Sequence, residues 1–261
     1  MKEIIHFAHG NGFPALCYKQ MLDYLAVDFD CCFIDKIGHD SLFPVTDNWH
    51  DLVLELISSI KKQSSQPVIA VGHSLGGVLS LLAAIQEPAL IKAVILLDSP
   101  LINPLKSLIV KMAKTLKFID RITPAFKMQG RRQYWENYPA VVQYLKTRDL
   151  FSTFSNECFD DYIAYGLEHQ QEGYYLRFDR HIEYQIYRTI PHDLATYTGK
   201  LFRPAALIYG DKSRVIDTMD LRYMRKKFHI KSYKTRGTHL FPMEDPKACA
   251  ALITKVITAI I

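Results

Sequence analysis

No stretch of this 261-residue chain approaches the apolar length that spans a bilayer, so stable membrane insertion is not expected. Cysteine is scarce. Cys17, Cys31, Cys32, Cys158 and Cys249 are odd in number and lack metal-ligand spacing, which argues for reduced thiols and against a disulfide scaffold or a metal site. Charge of one sign is also lacking: 32 Lys and Arg against 27 Asp and Glu leave a dispersed +5, too little to argue for nucleic acid as a partner. Internal repeats, low-complexity tracts and cofactor fingerprints are missing too, and a small molecule is the expected partner. Residues 1–10 lack the apolar run and small-residue cleavage site of a signal peptide, so a cytoplasmic location is expected.

The chain does carry Val71-Gly72-His73-Ser74-Leu75-Gly76-Gly77, a serine framed by glycines. Pro67 to Val71 reads as a short buried strand, and Val78 to Ile85 as a helix that is apolar nearly all round. Ser74 therefore falls where a strand turns sharply into a helix, the nucleophile elbow that strains the serine backbone and lifts its hydroxyl clear of the sheet. The neighbouring His73 is expected to pack locally rather than to act as a base.

Strand-like and helix-like segments alternate through the first hundred residues: strands at Ile4 to Ala8, Cys31 to Ile34 and Lys92 to Leu97, helices near Pro14 to Leu25 and Asn48 to Lys62. The alternation resumes at Ala205 to Tyr209, with a helix near Thr218 to Phe228, a strand near Ile230 to Thr235 and a last helix from Pro246. It predicts an α/β fold, a mostly parallel sheet of about six strands flanked by helices. Residues 101–201 lack this alternation, show helical periodicity and hold over half of the aromatic residues. They are expected to form an inserted helical cap over the carboxyl edge of the sheet, leaving 1–100 and 202–261 as the core.

Together, His9-Gly10-Asn11-Gly12, Gly72-His73-Ser74-Leu75-Gly76 and Gly237-Thr238-His239 resemble the α/β-hydrolase family over essentially the whole chain. The two leading antiparallel strands of that fold are missing from the pattern. The resemblance implies Ser74 as nucleophile, His239 as the base that takes and returns its proton, and an oxyanion hole from the backbone N–H groups of Leu75 and Asn11, with Phe13 as the alternative to Asn11. The family commonly places its acid three residues after a glycine such as Gly210, but that position is Ser213. Asp98, at the end of the strand before the insertion, is favoured over Asp211.

The implied function is a serine hydrolase of the carboxylesterase type, acting on small to medium acyl esters through an acyl-enzyme, with no metal and no cofactor. A carbon–carbon bond hydrolase or thioesterase would use the same machinery, and a non-catalytic ligand receptor that retains the triad is the rival from another class. Within 101–201, Leu105, Leu108, Ile109, Met112, Leu116 and Ile119 share one helical face, opposite Lys106, Lys111, Lys114 and Lys117. The first reading is an apolar stripe on the core with a solvated lysine face; a lid that attracts anions or touches lipid is the second. Arg131-Arg132 extend this basic and aromatic character, and Phe126, Trp135, Phe151, Phe154, Tyr162 and Tyr165 are candidates to line an acyl pocket.

Overall fold

The computed structural model describes residues 2–261. The chain opens with β1 (Glu3–Ala8), a short 3-10 turn, α1 (Lys19–Leu25) and β2 (Phe29–Phe33). It continues through α2 (His50–Gln63), β3 (Val68–His73), α3 (Leu75–Gln86) and β4 (Ile91–Leu97). An insertion follows, with α4 (Pro104–Thr115), α5 (Ile119–Ile122), α6 (Ala125–Gln129), β5 (Tyr134–Trp135), α7 (Tyr138–Lys146), α8 (Asn156–Gly166), β6 (Leu167–Gln170), β7 (Gly173–Leu176) and α9 (Arg180–Arg188). The core then closes with β8 (Ala205–Gly210), α10 (Thr218–Phe228), β9 (Lys231–Thr235), α11 (Phe241–Glu244) and α12 (Pro246–Ile260).

Six strands pair in the order β2-β1-β3-β4-β8-β9, every neighbour parallel. Apolar residues face both ways along the central strands, as a sheet covered on both sides requires. Ile69, Val71, Ala93 and Ile95 pack toward α1 and α12, while Val68, Ala70, Val94 and Leu96 pack toward α2, α3 and α10. Strand order reverses between β1 and β3, and the crevice at such a reversal is where open α/β sheets seat ligands. The loop at His9–Gly12 and the turn at Ser74 flank that crevice.

The insertion carries the expected helices and one feature more. It contains a three-stranded antiparallel sheet in the order β5-β7-β6, whose strands of two to four residues are too short to carry a periodic signal. The orientation of α4 is reversed relative to the first reading of its sequence. Leu105, Leu108, Ile109, Met112 and Leu116 are exposed, whereas Ser107, Val110 and Ala113 are buried. Polar contacts fix the inward face: Lys106 Nζ bonds Asp220 and lies 2.9 Å from Asp217, and Lys114 bonds Asp47. Asn103 caps the helix by accepting from Leu105 N–H at 3.1 Å, and its Nδ2 donates to Asp220 at 2.9 Å.

The aromatic residues of the insertion mostly form core. Trp135, Phe151 and Tyr162 are buried with the cluster beneath α1 and α12, Phe154 and Tyr165 pack against it, and Phe126 faces solvent. Phe151 packs on Phe154 and Tyr162, Phe13 packs on those same two rings, and Trp135 packs on Tyr144, so their flat faces fill core.

Candidate active site

Ser74 sits between the last residue of β3 and the first of α3 with φ 52° and ψ −114°, a conformation an L-residue tolerates only when its surroundings impose it. The surroundings do. A Cβ at Gly72 would lie 2.3 Å from the carbonyl carbon of Gly76, and one at Gly76 would lie 2.0 Å from the Ala8 oxygen. Only glycines let the helix start this close to the sheet, and that approach is what forces the turn. On the next strand Asp98 also has positive φ, 45°. Backbone bonds from Ser74 N–H to Leu97 O (2.9 Å) and from Asp98 N–H to Ile208 O (2.8 Å) tie the three strand ends together.

His239 lies in the loop between β9 and α11, and its Nδ1 is 2.7 Å from Asp98 Oδ2. A carboxylate only accepts, so Nδ1 carries a proton, which in the neutral ring leaves the lone pair on Nε2. Asp98 is fully buried and also accepts from Gly210 N–H at 3.3 Å and from the Ser213 hydroxyl. Asp211 is occupied differently: its Oδ1 accepts from Gly237 N–H at 2.9 Å and so shapes the loop that carries His239. Glu244 holds the same loop by accepting from Thr238 N–H at 3.1 Å.

His73 is fully buried with its pKa held well below the ordinary imidazole value, first by burial and then by the nearby His239. It is neutral, and its two nitrogens have assigned roles. Nε2–H donates to the His239 carbonyl at 2.9 Å, and Nδ1 accepts from the Tyr18 hydroxyl at 2.7 Å. The Tyr18 oxygen accepts from Gly10 N–H at 3.1 Å. One buried relay therefore spaces the Gly10 loop, the elbow and the His239 loop. His9 performs a related task, with Nδ1–H on Gly10 O and Nε2 accepting from Ile37 N–H, both at 2.8 Å.

Above these groups lies a cavity of about 480 Å³ between the sheet edge and the insertion. Asn11, Ser74, Leu75 and His239 line its floor, and Ile102, Ile122, Pro124, Ile186, Ile190 and Leu194 form much of the rest. Among the described residues the Ser74 hydroxyl makes no direct hydrogen bond to His239, although both face this space; such contacts commonly tighten only when substrate is bound. Leu75 N–H is at the first position of α3, where amides lack helical partners and the helix dipole is positive. Phe13 N–H is already bonded to Gly10 O at 3.2 Å, whereas no backbone bond engages the Asn11 N–H among the described residues.

Three contributors escaped the sequence reading. Tyr18 carries no motif. Ser213 stands at the position singled out as empty of acid. Arg131 turns inward, bonding the carboxylate of Glu183 and the Tyr162 hydroxyl (2.7 Å), while the Glu183 carbonyl accepts from Asn11 Nδ2 at 2.9 Å. Gly12, with φ +82°, abuts this pair: a Cβ there would lie 2.3 Å from Glu183 Oε1. The loop that follows β1 is thus propped from the insertion side.

A doubly wound parallel sheet with a strained serine at its strand-order reversal defines a hydrolase scaffold. Residues 7–252 match the model of the alpha/beta hydrolase family, and the chain belongs to that family. The uncharacterized hydrolase YugF of Bacillus subtilis (strain 168) is 27% identical over 213 residues, which is 80% of this chain and 72% of that protein. E-2-(acetamidomethylene)succinate hydrolase superposes with a TM-score of 0.79 at 20% identity, covering 99% of this chain and 92% of that one. The thioesterase domain from the curacin biosynthetic pathway superposes with a TM-score of 0.72 at 18% identity, covering 97% and 91%. At such identities these two likenesses concern the fold. No helix among the described residues is long and apolar enough to cross a membrane.

Proposed function

We propose that the chain is a serine hydrolase of the carboxylesterase type, cleaving small to medium acyl esters through an acyl-enzyme. The observation that carries this reading is the 2.7 Å contact between Asp98 and His239, opening on the same cavity as the strained Ser74. Ser74 Oγ attacks the ester carbonyl as His239 Nε2 takes its proton, and Asp98 stabilises the imidazolium through Nδ1–H. The carbonyl electron pair moves onto oxygen, where the Asn11 and Leu75 amides hold it; one such donor is worth about 2.7–4 kcal/mol of barrier. Collapse expels the alcohol with the proton from His239. Water, activated by the same imidazole, then releases the acid and regenerates Ser74.

The aliphatic walls of the cavity support an apolar acyl group. Labelling with a fluorophosphonate, paired with release of p-nitrophenol from the acetate and butyrate esters, tests the reading. Wild type should label and turn over, and Ser74→Ala should do neither. Equal, background-level release by both proteins would replace the enzyme with a ligand receptor.

A further inference from the structure

Helix α4 turns its apolar side away from the protein. Leu105, Leu108, Met112 and Leu116 are 59%, 54%, 50% and 63% exposed, with Ile109 beside them. The orientation is anchored rather than accidental, because Lys106 and Lys114 are held inward by Asp220, Asp217 and Asp47. Rolling the stripe inward would break these ion pairs and leave Asp220, which is fully buried, without its cation.

Charge surrounds the stripe selectively. Residues 104–129 contain Lys106, Lys111, Lys114, Lys117, Arg121 and Lys127 against a single acid, Asp120. Asp120 is already paired with Arg188, and Lys111, Lys117, Arg121 and Lys127 are exposed with no acidic partner among the described residues. The stripe also leads to the cavity. Ile122, which follows α4 on α5, is 46% exposed and lines the cavity wall, as do Thr123 and Pro124.

We propose that the α4–α6 face docks on an anionic lipid surface, with the leucine and methionine side chains at the level of the acyl chains and the free cations among the head groups. A helix of this kind lies in the interface plane, held jointly by buried apolar area and by attraction to anionic lipid. The cationic rim favours this occupant over a second copy of the chain, whose own α4 face would bring like charges together. The docked pose places Ile122 and the mouth of the cavity at the lipid surface.

Flotation of the full chain with vesicles tests the proposal. Wild type should float with vesicles of phosphatidylcholine containing phosphatidylglycerol, less with phosphatidylcholine alone, and less again as salt is raised. Lys111→Gln and Lys117→Gln should each lower the partition coefficient about fivefold. Leu108→Asp with Met112→Asp should abolish flotation while leaving hydrolysis of dissolved p-nitrophenyl butyrate unchanged. Ser74→Ala should float like wild type, so the result is independent of the catalytic assignment. Wild type remaining with the soluble fraction on anionic vesicles, or the Leu108→Asp, Met112→Asp protein floating as well as wild type, would overturn the proposal. So would sedimentation velocity showing a wild-type dimer that those two changes dissociate, since the face would then belong to a second copy.

Discussion

The Ser213 hydroxyl donates a hydrogen bond to Asp98 Oδ2, the same oxygen that receives Nδ1–H of His239. Ser213 stands where the family resemblance leads one to expect the acid, so the two strand ends have exchanged tasks. The end of β4 carries the carboxylate that meets His239, and Ser213, three residues beyond β8, donates to it and keeps it aimed. Asp98→Asn should lower kcat on p-nitrophenyl butyrate by about 10³–10⁴-fold, because an amide at this place favours the wrong imidazole tautomer. Asp211→Asn should stay within about tenfold of wild type, since it disturbs only the bond to Gly237 N–H. Adding Ser213→Asp to Asp98→Asn should restore at least about tenfold of the lost activity. Steady-state kinetics on the purified, folded variants decide it; collapse in Asp211→Asn alone would reverse the assignment.

The core and the elbow were legible because their information is local. Val68 to Gln86 contains the buried strand, the glycines that permit close approach and the apolar helix, all within one continuous segment. The direction in which α4 faces was not legible. Helical periodicity shows that an apolar side exists but not what it points toward. The residues that decided the matter are remote: Asp220 lies 114 positions from Lys106, and Asp47 lies 67 from Lys114. Tyr18 was hidden for a related reason, since its partner His73 is 55 positions away. A phenol reads as core until its partner is placed.

His73 acts through others. Its ring sets the position of the His239 carbonyl and, through Tyr18, of Gly10. His73→Phe fills a similar volume but leaves the Tyr18 O–H donor and the His239 carbonyl unpartnered, at about 1–3 kcal/mol for each group. Displacing the base by an ångström costs on the order of 10²-fold in rate. The expected outcome is a kcat lowered by about 10–100-fold with KM little changed, while His73→Gln, which can both donate and accept, recovers much of the loss. If His73→Phe loses stability but keeps full kcat, the relay is structural only.

Buried histidines and one buried glutamate set the response of stability to pH in opposite senses. Burial lowers His6 and His9 from 6.5 to about 4, and it holds His73 well below the ordinary imidazole value. The unfolded chain therefore binds more protons below pH 6.5, and stability falls as pH drops toward 4, by about 2 kcal/mol for each of His6 and His9 at pH 5. Glu55, buried on α2 and accepting from Gly38 N–H at 2.7 Å, has its pKa raised from 4.5 to about 7 by burial. Its folded form binds the extra proton, so its contribution is fully present below pH 4.5 and lost as pH rises through 7. Glu55→Gln keeps the accepting oxygen and removes the titration. Thermal melts should show Glu55→Gln above wild type at pH 8, by on the order of 2 kcal/mol, with the gap closed at pH 4.5. A gap independent of pH would mean that Glu55 has the same pKa in the folded and the unfolded chain.

Under the proposed function, the aliphatic part of the cavity wall would set the length of acyl group that can reach Ser74. Ile186 and Ile190 contribute to it from the insertion and Val78 from α3, and the space amounts to about 480 Å³. That volume suits a short or medium chain and lies at the lower end of ordinary small-molecule sites. Ile190→Trp subtracts depth without touching Ser74, His239, Asn11 or Leu75. Since one methylene in an apolar pocket is worth about 1–3 kcal/mol, blocking two or three carbons' worth of contact should cut kcat/KM for the octanoate ester by at least about 10²-fold. The acetate ester, which needs only the floor, should change by less than about threefold. Ile190→Ala should shift preference the other way, toward longer chains. A series of p-nitrophenyl esters from acetate to decanoate reads all three proteins in one assay. Parallel losses across the whole series in Ile190→Trp would place the acyl group elsewhere, with the leaving alcohol occupying the aliphatic side.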